Sequence, residues 1–184
     1  VYETPNCGRL MPSLNASFDG VVLLGNHVRA GTIDGFLDHT IDSSSWFEYR
    51  LNGQVLGEIG IEAAYASHYD VPVIMVSGDH AAAQEAREVL GDVEIAVVKW
   101  GIGRNRAKCL SPERAHEIIR DGMTKALSSI RKFKPFRVSL PATIQLTLYR
   151  SDMADKFAAR QGVKRIDART VQFQITSLLD VCPC

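Results

Sequence analysis

Three residues in the first third of the chain carry groups that bind metal ions: His27, His39 and Glu58. His27 ends Gly25-Asn26-His27, directly after a short apolar run. His39 lies in the polar stretch that follows, within Leu37-Asp38-His39-Thr40. Glu58 opens an apolar helical pattern in Gly57-Glu58-Ile59-Gly60. Imidazole nitrogen and carboxylate oxygen together suit zinc. Such an ion polarises a carbonyl and acidifies a bound water, which is the chemistry of amide hydrolysis. The spacing matches no compact pattern such as His-Glu-x-x-His. From spacing alone each residue has a structural alternative. His27 can be a satisfied strand-end histidine, His39 a solvated loop histidine, and Glu58 an acid stabilised by the helix dipole.

Elements must bring these residues together. Gly20 to Gly25 reads as a short buried strand bounded by glycines. A residue at the carboxyl end of such a strand, in a parallel sheet, faces the ligand crevice. Residues 26–46 form a long polar loop, a length that is usually functional or disordered. Trp46–Leu51 and Gln54–Leu56 flank Asn52-Gly53, a strong hairpin signal. A helix follows over 58–69, a strand over 71–77, a helix over 80–90 capped by Asp79, and a strand over 93–98. Ser111-Pro112-Glu113 starts another helix, with Ser as cap and Pro in the first turn; it is expected to reach Arg131. Strands at 143–149 and 170–175 and a helix at 151–160 complete the pattern, and a shortened helix begins at Ser177.

The alternation of strands and helices predicts an α/β fold, with a largely parallel sheet flanked by helices and a smaller α+β C-terminal portion. Residues 1–134 would form the α/β body carrying the metal site, and 135–184 the tail. A single domain is the alternative.

Bulk properties narrow the function. The 184 residues carry 21 basic and 21 acidic side chains, so net charge is zero. No general attraction to nucleic acid or an anionic membrane is expected. No apolar run reaches the ~20 residues of a membrane span, and the start lacks a secretion signal. The four cysteines, Cys7, Cys109, Cys182 and Cys184, are too few for a disulfide framework. A reduced, cytoplasmic protein is expected, with Cys109 in the core. A metal or redox role for the Cys182–Cys184 pair is the less favoured reading. His80 is a secondary ligand candidate. His68 and His116 read as structural. Lys99, Arg104 and Arg106 suggest a positive patch for a peptide carboxylate or a subunit contact.

The chain resembles the zinc-dependent D-aminopeptidases of the bacterial dipeptide-operon type. Gly25-Asn26-His27-Val28-Arg29-Ala30 is similar to the family's Gly-Tyr-His-Ala-Arg-Ala. Asp38-His39-Thr40, Asn52-Gly53 and Val55-Leu56-Gly57-Glu58-Ile59-Gly60 follow in the family's order. So do Val71-Pro72-Val73, Ser77-Gly78-Asp79, Lys108-Cys109-Leu110-Ser111-Pro112 and Thr170-Val171-Gln172-Phe173. The resemblance implies a metallopeptidase that removes N-terminal D-amino acids, such as D-Ala, from short peptides. It implies His27 and Glu58 as metal ligands in a two-zinc centre, and His39 as the catalytic group, either nucleophile or general base. It also implies a homo-oligomer, in the family a decameric ring. The family's Asp-x-Glu-Gly and Asn-Asp-Ser-His motifs do not occur in these 184 residues. The expectation is therefore threefold: a fragment or processed product, a site completed by another chain, or a shortened relative with weakened metal binding. An impaired homologue, an assembly subunit or a related amidase are the alternative functions.

Overall fold

The computed structural model describes residues 10–183. Residues 1–9, which include Cys7, and the terminal Cys184 lie outside the described residues. Two sheets form the framework. The first has strand order β1 (Val21–Asn26), β4 (Val73–Asp79), β5 (Glu94–Gly103), β6 (Arg106–Cys109). Strands β1, β4 and β5 run parallel, and β6 returns antiparallel to β5. The second sheet has order β3 (Gln54–Leu56), β2 (Trp46–Leu51), β7 (Ala142–Leu148), β9 (Thr170–Ile175), β8 (Lys164–Arg165). All its pairings are antiparallel.

The fold is thus mixed α/β, but the expected largely parallel character holds only for three strands of the first sheet. The second sheet draws its strands from both sides of Lys134: the β2–β3 hairpin pairs through β2 with β7. Asn52 and Gly53 make the hairpin turn with positive φ of 49° and 85°, the geometry that favours this dipeptide.

Helix α1 (Glu58–Ser67) connects the two halves of the core. Its Ile59 and Ala63 pack with Leu23, Val73 and Val76 of the first sheet. Its Ile61, Ala64 and Tyr65 pack with Tyr49, Leu56, Ile144 and Leu146 of the second. A helix covered on both sides must be apolar nearly all round, and Ile59 to Ala66 is buried except for Glu62. Helix α2 (His80–Leu90) adds Ala82 and Ala86 to the same side of the first sheet. The opposite side packs Ile74, Met75 and Ala96 with Ala126 of α3 (Pro112–Ser128) and Phe133. Every residue of β4 is buried. Strand β7 alternates, with Ala142, Ile144, Leu146 and Leu148 buried beneath α4 (Ser151–Ala158) and its Ala154. Among the described residues no helix is long and apolar enough to cross a membrane.

Two sequence expectations are corrected. Helix α3 ends at Ser128 and gives way to a short 3₁₀ turn, Ile130–Lys132, rather than continuing to Arg131. Cys109 is exposed, not in the core, because it closes the edge strand β6.

Candidate metal centre

His27, His39 and Glu58 all belong to the connection between β1 and β4, and the fold gathers them at one point. Each offers a ligand atom within 4.8 Å of the others. Glu58 Oε1 lies 3.4 Å from His27 Nε2 and 3.4 Å from His39 Nε2. The two imidazoles stack, with ring centres 3.8 Å apart and planes 16° from parallel.

Backbone carbonyls fix both rings. His27 Nδ1 lies 3.1 Å from the Val28 carbonyl, and His39 Nδ1 lies 2.7 Å from the Leu37 carbonyl. A carbonyl only accepts, so each Nδ1 carries a proton. In the neutral ring Nε2 then presents a lone pair. Two lone pairs and a carboxylate oxygen converge, an arrangement satisfied by a proton or a cation. Nδ1–H held by a carbonyl is also the usual support of a metal-bound histidine. The donor set therefore fits a zinc ion.

The charges follow from these contacts. Burial disfavours the His27 cation, but the Glu58 carboxylate and the Val28 carbonyl outweigh it and raise the His27 pKa. Burial likewise disfavours ionised Glu58, but bonds and charge from His27, the Ile41 N–H and the His39 charge lower its pKa. Glu62, one turn along α1 and on the same side, behaves oppositely. Burial and the Glu58 charge push its carboxyl up to about 7, against the bond from Asn26 and the His27 charge. Asn26 Nδ2 donates to Glu62 Oε2 at 3.3 Å, while Asn26 Oδ1 accepts from the His27 N–H at 2.8 Å.

The loop holding His39 is tied down at several points. The Val28 carbonyl accepts from the His39 N–H at 3.3 Å. Leu37 and Ile41 flank His39 in the left-handed region, φ 56° and 59°. Such residues cost free energy unless their surroundings hold them. Leu37 N–H donates to the Arg104 carbonyl at 2.7 Å, and Ile41 N–H to Glu58 Oε1 at 2.7 Å. Arg104 also binds the Asp38 carbonyl and its carboxylate. Asp79, fully buried at the end of β4, caps α2 through the Ala82 N–H and accepts the Phe36 N–H from the loop. The loop lies so close on β5 that a β-carbon at Gly101 would meet the Asp34 carbonyl.

The other sequence candidates fall elsewhere. His80 is exposed at the first turn of α2, outside the cluster. His68 is exposed at the C-cap of α1, against Tyr69, and His116 is exposed on α3. Lys99 lies over the Phe36 ring, and Arg104 serves the loop rather than a free patch. Sequence reasoning did not single out Glu62 or Glu85. Both leave a signal: Glu62 is four positions after Glu58, and Glu85 lies among the buried alanines of α2. A cleft of about 370 Å³, lined by Arg29, Thr32, Thr40, Phe47, Tyr49 and Leu56, adjoins the cluster at Thr40.

The sequence model of peptidase family M55, D-aminopeptidase, matches residues 4–184. The chain belongs to the D-aminopeptidase family. It is 33% identical over 172 residues to a D-aminopeptidase of Bacillus subtilis (strain 168), covering 93% of this chain and 62% of that protein. Its fold matches the solved Zn-dependent D-aminopeptidase DppA from Bacillus subtilis, described as a self-compartmentalizing protease, with TM-score 0.88 and 32% identity. That match covers 92% of this chain and 61% of the other. The chain thus spans about three fifths of the length of these D-aminopeptidases.

Proposed function

We propose that this chain carries part of the centre of a zinc-dependent aminopeptidase that hydrolyses the N-terminal amide bond of short peptides, with D-residues such as D-Ala at the amino end. The observation that carries the reading is the convergence of three acceptor atoms whose rings are pinned through Nδ1. His27 and Glu58 would hold the metal, and His39 would be the catalytic group. Zinc, when bound, supplies carbonyl polarisation and an acidified water. The relatives' descriptions support zinc and a D-aminopeptidase activity. We take the number of ions to be two and the assembly to be a homo-oligomeric ring. The self-compartmentalizing description of DppA supports assembly.

The chain's own residues do the following. Val28 and Leu37 orient the rings through Nδ1, which leaves His39 Nε2, next to Glu58, as the nitrogen that would face the reacting bond. That atom would accept a proton from the attacking water, or would itself attack the carbonyl carbon, the C–N bond breaking to release the protonated amine and water then removing the acyl group. Glu58 stays ionised, which favours both cation binding and a neighbouring imidazolium. The cleft beside Thr40 offers room for a small side chain.

A second reading is favoured by one distance: His39 is as close to Glu58 as His27 is. His39 would then be a ligand. Zinc content and D-Ala-peptide hydrolysis, measured for the protein and for His39→Ala, separate the readings. Retained zinc with abolished turnover supports the catalytic role. Lost zinc supports the ligand role. Unchanged turnover removes His39 from the mechanism, and an unsubstituted protein with neither zinc nor hydrolysis sinks the enzyme reading.

A further inference from the structure

Glu85 is an ionisable group that the proposed chemistry does not use. Its side chain is about 1% exposed, on the face of α2 otherwise lined by Ala81, Ala82 and Ala86. Burying a carboxylate is costly unless its oxygens are fully bonded. Burial accordingly raises its pKa, against the pull of Arg29 and the Gly57 N–H.

Its hydrogen-bond donors come from outside its own helix. Oε2 accepts the Arg29 N–H at 2.8 Å, and Oε1 accepts the Gly57 N–H at 3.0 Å. The Arg29 guanidinium adds a contact at 3.8 Å. Arg29 is two residues after His27, and Gly57 immediately precedes Glu58. One rigid carboxylate therefore spans the two backbone segments that bear the two ligands. The fit leaves no slack: a β-carbon at Gly57 would lie 2.3 Å from Glu85 Oε1. A packing role alone would be filled as well by an apolar side chain, often with no loss of stability.

We infer that Glu85 is a positioning residue, a carboxylate clamp that sets the separation of His27 from Glu58 and so the affinity of the cluster for a divalent cation. This rests on the metal reading of the site. Glu85 touches neither the metal position nor the peptide; it acts through the backbones of Arg29 and Gly57.

The test is a titration with zinc alone, by calorimetry, of the protein, Glu85→Gln, Glu85→Asp and the remote core variant Leu146→Ala, alongside hydrogen exchange. Glutamine keeps the shape but presents an NH₂ to one of the two N–H donors. Glu85→Gln should bind zinc at least ~10-fold more weakly, in the range seen for other outer-shell substitutions. The Arg29 and Gly57 amides should exchange faster, and those of β4 should not. Leu146→Ala should lower the melting temperature and leave zinc affinity unchanged, which separates positioning from general stability. A folded Glu85→Gln with wild-type zinc affinity overturns the clamp. Should Glu85→Gln fail to fold, Glu85→Asp, which keeps the charge but draws the oxygens back from the Arg29 and Gly57 N–H groups, decides by the same criterion. An unsubstituted protein that takes up no zinc defeats the metal reading before any variant is compared, and the clamp with it.

Discussion

The imidazole rings of His27 and His39 lie face to face, 3.8 Å between centres, and both turn Nε2 toward the same oxygen of Glu58. With Nδ1 of each ring held by a backbone carbonyl, both Nε2 atoms face one point. They can share one cation.

Protons and metal therefore compete. The His27 pKa is raised, so zinc held by His27 as proposed would have to displace a proton from that ring whenever the pH lies below this value. Zinc affinity should climb as pH rises from about 5.5, by up to tenfold per unit for one displaced proton, and level off above the raised pKa. Calorimetry in buffers of different ionisation enthalpy reads the released proton directly. An affinity that is flat between pH 5.5 and 8 would contradict the assignment of His27 as a ligand.

Without metal, the His27–Glu58 pair stabilises the fold within a bounded window. His27 contributes stability below its ordinary value near 6.5 and loses it as pH rises through the raised folded pKa. Glu58 contributes above its ordinary value near 4.5 and loses it as pH falls through the lowered folded pKa. Glu58→Gln should thus cost most between pH 5 and 6, about 1 kcal/mol, and progressively less above pH 7. Urea melts of the chelator-treated protein at three pH values check this.

Glu62 should show the reverse sign. Its folded pKa is raised to about 7, so the folded state binds the extra proton and stability falls as pH climbs from about 4.5 to about 7. Glu62→Gln removes that penalty. The variant should match the parent at pH 4.5 and exceed it by ~1–2 kcal/mol at pH 8. Equal stabilities at pH 8 would show that the Glu62 pKa is not raised by folding.

Asp79 serves two elements with two oxygens. Asp79→Ala uncaps α2 and orphans the Phe36 N–H; the expected loss is ~2–3 kcal/mol. Asp79→Asn keeps a capping oxygen and should lose less. Both should increase hydrogen exchange between Phe36 and Thr40, and turnover should fall with the loosening of His39. A change in stability with an unaltered loop would separate the two functions.

Much of this architecture was legible in the chain. Asn52-Gly53 marked its turn, Asp79 and Ser111 marked helix starts, and the run 143–149 marked strand β7, because each is a local signal. Strand direction was not local. The regular succession of strand and helix suggested one parallel sheet, yet the β2–β3 hairpin finds its partner in β7, far along the chain. Strands β6 and β8 lie at sheet edges, where charged, exposed residues mask the hydrophobic pattern; that also misplaced Cys109. The cluster of His27, His39 and Glu58 was selected by residue type and family likeness. Its supports escaped notice, since neither Glu62 nor Glu85 sits in a recognisable motif and their roles arise from contacts across elements.

The split origin of the second sheet has a consequence in time. Asn52 in the hairpin turn bonds to Thr143, 91 positions later. At ~5–20 residues per second, a ribosome needs on the order of 5–20 s to make that interval. Once β2 emerges it keeps an open edge until β7 follows, and Tyr49 and Leu51 lack the strand that pairs with them. The loop carrying His39 leads into that same hairpin, so the segment after it stays without its sheet partner until β7 arrives. In a nascent chain, then, the order of synthesis sets the order in which this sheet can close.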